Sequence, residues 1–328
     1  MRRRWVWLGA LLVVIGAAAH SAAWWFVTSR LEDEMPAFVA GAATYGWRVE
    51  SGPPARGGWP FTATVSLPSL KATRLLGGTT VRWTADRIDV SVSPIRPLML
   101  ELAPAGAQTI EASDGAKGGA VLPFSADRVV ARTPLTGGPI ALMAEALVAG
   151  TAATGVKIAR VNGTLDEQSL TIDASGIAVA PGSAPPFDGP IDLAVALSAN
   201  IPFPASPTPG SSAAAWQAAG GRMELSNVAL RWGTLALEGS GTFRLDAQLQ
   251  PEGRTTLRVQ GAMEALDAMA KGGLLAPGPA SAARAVLGLL VLAAHGGPVT
   301  LPVAVSGRVV KVSQFPVLRL PLLDWNLP

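Results

Sequence analysis

Polar and apolar residues alternate along most of the chain with a period of two. In Arg87-Ile88-Asp89-Val90-Ser91-Val92 every second residue is apolar, and Thr62-Ala63-Thr64-Val65-Ser66-Leu67 repeats the pattern. Leu170, Ile172 and Ala174 alternate with Ser169, Thr171 and Asp173. The same holds in Arg222–Trp232, Leu235–Leu245, Thr255–Gly261, Val303–Val305 and Arg308–Val312. Successive side chains of a strand point to opposite faces, so this period predicts antiparallel sheet with one apolar and one wet face. On that reading Val65, Leu67, Ile88, Val90, Val92, Leu170, Ile172, Leu235, Leu237, Leu257 and Val259 are candidate groove-facing residues. Leu75-Leu76-Gly77-Gly78, Asn162-Gly163, Gln250-Pro251-Glu252-Gly253 and Ser306-Gly307 carry the residue types that tight reversals need.

The N-terminus breaks the pattern. Trp5 to Val27 is free of formal charge and spans about 34 Å as a helix, enough for a hydrocarbon core about 30 Å thick. Trp5 and Trp7 stand at one end and Trp24 and Trp25 at the other, where amphipathic rings favour the headgroup level. Arg2, Arg3 and Arg4 precede the span and Glu32, Asp33 and Glu34 follow it, which places the N-terminus in the cytoplasm. A cleavable signal peptide is the competing reading, with small residues at 19–22 as its cleavage site. The length of the apolar run favours a retained anchor. Leu31, Met35, Phe38, Val39 and Ala42 continue at helical spacing, Ser29 and Glu32 have the form of a capping box, and Pro36 predicts a kink or a new first turn.

The expected layout is therefore residues 1–30 as cytoplasmic stub and transmembrane anchor, 31–46 as helical stalk, and 47–328 as a periplasmic β body. Pro/Gly/Ser-rich stretches near 181–190 and 202–212 read as loops within one continuous sheet system. Helices are expected near 262–295, as Ala262–Ala270 and Pro279–His295, the second burying itself on the sheet's apolar face. The fold class is mainly β: a curled antiparallel sheet, groove or flattened barrel, with one or two packed helices after the transmembrane helix. Thr84–Val90 also resembles Ser125–Ala131, which suggests a repeated unit.

Composition narrows the chemistry. The chain lacks cysteine and has two histidines, His20 and His295, and one tyrosine. Disulfides, thiolate metal sites and cysteine nucleophiles are excluded. The pI near 9.7 points towards nucleic acid, but four of the 26 basic residues flank the apolar span, which leaves 22 against 23 acidic ones in the body. A near-neutral body lacks the footprint that phosphate binding needs, so no nucleic-acid partner is expected. No G-x-S-x-G, P-loop, dinucleotide fingerprint or H-E-x-x-H occurs. Asp86, Asp89, Asp127, Asp166, Glu167 and Asp173 read as solvated strand positions, and neither catalysis nor a cofactor or metal is expected.

Gly57-Gly58-Trp59-Pro60-Phe61, after an apolar anchor and Tyr45-Gly46-Trp47, resembles the start of an uncharacterised bacterial envelope family, the domain-of-unknown-function family 2125. Leu67-Pro68-Ser69-Leu70, Leu235–Gly241 with Gln250–Gly253, the apolar helix and the strands from Pro302 to Leu322 are similar to later parts of that family. The resemblance carries no catalytic residue over. In layout the chain is similar to AsmA-like proteins, which implies an anchored periplasmic sheet linked to lipid movement. The expected role is a single-pass inner-membrane protein, not an enzyme, whose apolar face holds or conducts phospholipid or another acyl-chain ligand. The alternatives are a scaffold with a filled core that partners other envelope proteins, and an unrecognised hydrolase.

Overall fold

Alternation becomes strand wherever a neighbour can take up the backbone hydrogen bonds. The computed structural model describes residues 2–325 apart from 45, 77–78, 115–117, 152–154, 180–188, 205–208, 272–276, 296, 314 and 324. Helix α1 (Arg2–Thr44) comes first, followed by β1 (Arg48–Glu50), β2 (Ala55–Gly57), β3 (Ala63–Leu76), β4 (Thr79–Ser93) and β5 (Arg96–Asp114). Then come β6 (Gly118–Ser125), β7 (Arg128–Pro134), β8 (Ile140–Ala149), β9 (Val156–Leu165), β10 (Ser169–Val179) and β11 (Ile191–Ala199). The chain continues through α2 (Pro209–Ala218), β12 (Met223–Trp232), β13 (Leu235–Leu245), β14 (Pro251–Gln260), α3 (Ala262–Lys271) and α4 (Pro277–Ala293). It closes with β15 (Val299–Ser306), β16 (Val309–Val312) and β17 (Phe315–Arg319). The protein is mainly β, and its described strand pairings are antiparallel.

By their contacts the residues form two compact units. The first comprises Met1–Leu75, Thr80–Val121 and Val130–Gly138, and the second Leu76–Thr79, Leu122–Val129 and Pro139–Pro328. In the first unit β1 and β2 both pair with β3, and β5 pairs with β7. Helix α1 lies across this sheet and fills its apolar side. Met35 packs with Val65, Leu67 and Val90, and Leu31, Ile88, Leu100 and Leu102 close around them. Val65 and Val90 keep only 0% and 2% of their surface. Thr28 is fully buried in the same helix, and its hydroxyl donates back to the carbonyls of Trp24 (2.9 Å) and Trp25 (3.0 Å), which satisfies it inside an apolar contact.

Helix α1 runs unbroken through the expected anchor and stalk, with Pro36 inside it. The capping box expected at Ser29 does not form. Ser29 lies in mid-helix, where its hydroxyl donates to Trp25 O at 2.8 Å. Among the described residues α1 is the one helix long and apolar enough to cross a membrane.

In the second unit β8 to β17 form a meander in which each strand pairs with the next. The end of β6 adds to β8, with Phe124 opposite Ala149. No ladder joins β17 to β8 among the described residues, so this sheet is open rather than a closed barrel. Two reversals differ from those expected. Asn162-Gly163 lies within β9, and the β9–β10 turn is Asp166–Ser169 instead. There the Asp166 carboxylate accepts the amides of Gln168 (2.8 Å) and Ser169 (2.6 Å) and the Ser169 hydroxyl (2.8 Å). These donors, the Gln168 amide first, hold its carboxyl below the usual carboxylate range. Pro251–Gly253 likewise belongs to β14, and the turn before it is organised by Asp246, which accepts the amides of Gln248 and Gln250. An aspartate that hydrogen-bonds its own following amides can set a reversal without a glycine.

The helices also correct the sequence reading. The loop expected over 202–212 is shortened, because Pro209–Ser212 opens α2: proline suits a first helical position, and Ala213-Ala214-Ala215 carries the helix on. Trp216 of α2 is buried, stacks on Phe203 at 4.6 Å and donates to Ile201 O at 3.0 Å. Helix α4 packs on α3 rather than on the sheet, tied by Arg284 Nε to Asp267 at 3.1 Å, and its Leu289 and Leu292 remain exposed. The two similar heptapeptides are not equivalent: Thr84–Val90 lies within one strand, whereas Ser125–Ala131 runs from β6 through a turn into β7. The loop expected at 181–190 lies, up to residue 188, outside the described residues.

Candidate functional site

Directly paired residues of an antiparallel ladder lie on the same face of the sheet, so register alone assembles the second unit's surface. One row runs Leu142, Gly163, Ile172, Val195, Val228, Gly239, Leu257 and Leu301 from β8 to β15. A second runs Ile140, Leu165, Leu170, Leu197, Leu225, Gly241, Thr255 and Val303. A third runs Ala144, Val161, Ala174, Leu193, Leu230, Leu237, Val259 and Val299. The opposite face carries Thr164, Thr171, Asp173, Glu238, Arg258 and Thr300. The result is a mainly apolar face eight strands wide, backed by one that mixes polar residues with alanine and Met143.

Coverage of that face is uneven. The third row is buried at both ends, at Ala144 and Ala174 as well as at Val259 and Val299, and α2 and α3 both reach β13. At the β8–β10 end Ile140, Leu142, Leu165 and Ile172 expose 43%, 44%, 50% and 36% of their surface. The middle of each row is half-buried. Gly239 and Gly241 admit no side chain, since a Cβ on them would come within 2.6 Å of Thr256 O and 2.4 Å of Arg254 O respectively. They sit opposite a register shift in β12, between Leu225 and Val228, and the bulge lies there rather than in the glycine strand itself.

Of the candidate groove residues, Leu170, Ile172, Leu235, Leu237, Leu257 and Val259 lie on this sheet. The register rows contain five of them, and Leu235 lies two residues before Leu237 on the same face. Val65, Leu67 and Val90 are instead sealed under α1, with Ile88 packed against them. Val92 lines a separate cleft of about 510 Å³ in the first unit, together with Trp24, Phe26, Met35, Pro60, Leu100 and Leu135. Leu142, Leu165, Leu193 and Val195 were not identified from sequence. In Ile140-Ala141-Leu142-Met143-Ala144 and Leu193-Ala194-Val195-Ala196 the outward positions are apolar or alanine, which conceals the alternation.

For the anchor, the side chains of Arg2, Arg3, Arg4 and Trp5 lie outside the described residues, and Trp7 is exposed. Trp24 donates through Nε1 to Thr62 O at 2.8 Å, and Arg56 stands 5.8 Å over the Trp25 ring.

Several of the ionisable side chains hold local structure. Asp86 accepts the Ala107 amide at 2.7 Å, and Asp89 accepts the Ser66 hydroxyl at 2.6 Å and pairs with Arg87 at 2.9 Å. A polar cleft of about 900 Å³ in the first unit carries Arg48, Glu50, Lys71, Arg82 and Glu111, with Arg82 bound to Glu111 at 2.8 Å. Its charges are mixed, and no histidine lines it. His20 engages Pro60 O through Nε2 at 2.6 Å, and His295 follows the last turn of α4. Among the described residues no three of His, Asp and Glu cluster as metal ligands.

Residues 24–321 match the model of a family described as uncharacterized protein conserved in bacteria (DUF2125). The chain belongs to this family. No curated protein and no solved structure matches it. The match takes in the second half of α1 and both compact units, so the helix that packs on the first sheet is part of the family's own domain.

Proposed function

We propose that this DUF2125 protein is a single-pass envelope protein, N-terminus in the cytoplasm and β units in the periplasm, that binds acyl chains on the open apolar face of its second unit and catalyses no reaction. The observation that carries this reading is the mainly apolar face from β8 to β15, left uncovered at Ile140, Leu142, Leu165 and Ile172. An apolar surface of this width facing water is costly, and covering it yields about 25 cal/mol per Å². A hydrocarbon chain is the economical cover for a protein with an apolar helix fit for a bilayer, because lipid is then always at hand.

The test is native mass spectrometry of gently purified full-length protein beside the Leu165→Gln/Ile172→Asn double variant. Lipid retained by the wild type and lost from the variant supports the reading, since lipid around the anchor is common to both. Equal lipid on both, or none on either, refutes it. Orientation is checked by protease protection of the β units in intact inner-membrane vesicles.

A further inference from the structure

Helix α1 does not leave the sheet of the first unit where its apolar run ends. Up to Ala19 its described side chains are exposed, but from His20 onward the turn between β2 and β3 runs alongside it. His20 Nε2 meets Pro60 O at 2.6 Å, Trp59 Nε1 donates to Ser21 Oγ at 3.3 Å, and Trp24 Nε1 donates to Thr62 O at 2.8 Å. The lipid-spanning length must be taken from this same helix. Trp5 to Ala19 alone gives about 22 Å, short of a 30 Å core, whereas the span reaches about 34 Å only if it continues to Val27. A bilayer that is crossed fully therefore reaches the level of the β2–β3 turn.

We infer that the first unit dips a rim of three turns into the lipid interface beside α1: Trp59 and Phe61 between β2 and β3, Ile95 between β4 and β5, and Leu135 after β7. This rests on the anchoring reading above and adds a second membrane contact to it. Trp59, Phe61, Ile95 and Leu135 are 58%, 80%, 90% and 52% exposed, four large apolar side chains presented together on three turns. Pro60, Pro94 and Leu135 line one cleft with Trp24 and Phe26 of α1, which puts the three turns at the same end of the unit.

The β2–β3 turn is also equipped to leave water. Phe61 N and Thr62 N both donate to Gly58 O, at 3.0 and 2.8 Å, Pro60 has no amide hydrogen, and the carbonyls of Pro60 and Thr62 receive the side chains of His20 and Trp24. Non-helical backbone at membrane depth needs such internal partners. His20, a polar group within the apolar run, takes its partner from the same turn. Charges begin above the rim: Arg56 stands over Trp25 and pairs with Glu32 at 2.7 Å. Arg96, next to Ile95, has a stem long enough to place its guanidinium among lipid phosphates while Ile95 enters the acyl boundary.

The chain has no native cysteine, so single-cysteine variants accept a nitroxide label cleanly. Full-length Leu12→Cys, Phe61→Cys, Ile95→Cys, Leu135→Cys and Lys71→Cys are reconstituted into nanodiscs of phosphatidylethanolamine and phosphatidylglycerol. Collision with oxygen and with a water-soluble nickel chelate then reads depth. The inference expects the oxygen-to-nickel ratio at 61, 95 and 135 to be several-fold above that at 71 and to approach that at 12. Three rim sites provide independent readings if one variant fails to fold. Rim labels as aqueous as the label at 71, with the label at 12 immersed, overturn the rim and leave the anchor standing. An aqueous label at 12 overturns the anchor and the rim with it.

Discussion

The two units apply the same strand pattern to opposite ends. In the first, the apolar side of the sheet is capped by a helix: Val65, Val90 and Met35 form a dry contact, beside which an apolar cleft stays open along α1. In the second, an apolar face of comparable alternation spreads over eight strands, and its β8–β10 end meets solvent. The difference lies in the cover rather than in the strands. A sheet whose apolar side is covered gains stability from it, and one left partly uncovered forgoes that gain and keeps a binding surface.

Four substitutions break or sharpen this contrast. The largest effect is expected from Val65→Asp, which buries an unpaired carboxylate beneath α1 and costs about 4 kcal/mol or more, seen as loss of the first unit's amide protection in hydrogen exchange. Met35→Ala tests the helix as cover and should cost about 2–5 kcal/mol through the cavity it leaves, read as a lowered denaturation midpoint in detergent. Gln250→Ala acts within the second unit. The Gln250 side chain donates to Leu323 O and accepts Leu323 N, both at 2.9 Å, and its removal should cost about 1–3 kcal/mol, confined to faster exchange of the Leu323 amide and its neighbours. The smallest effect belongs to Ile172→Asn, a side chain one-third exposed, at about 1 kcal/mol in the same denaturation assay. A large destabilisation there would mean the face is packed, and the contrast between the units would fail.

Much of this architecture was legible in the chain. Strict alternation located β4, β10, β12, β13 and β14, and Leu235–Leu245 coincides with β13 at both ends. The apolar run and its flanking charges marked α1. Local signals misled where a side chain outweighed a glycine. Asn162-Gly163 has the form of a turn, yet the Asp166 carboxylate collects three donors four residues later and sets the reversal there. Ser29 and Glu32 have the form of a cap, but the α1 helix already running through them leaves no free end to cap.

What the sequence determined by itself is periodicity: which residues share a face, how long the apolar helix is, and that no cysteine is present to carry thiol chemistry. These follow from bonds and side chains a few residues apart. Only the tertiary structure decided that Val65 and Val90 lie under a helix while Ile172 faces outward, although all three sit in similar alternating strands. Whether an apolar face is covered depends on which distant segment packs there, and that outcome is set by the competition among all the apolar surfaces of the folded chain.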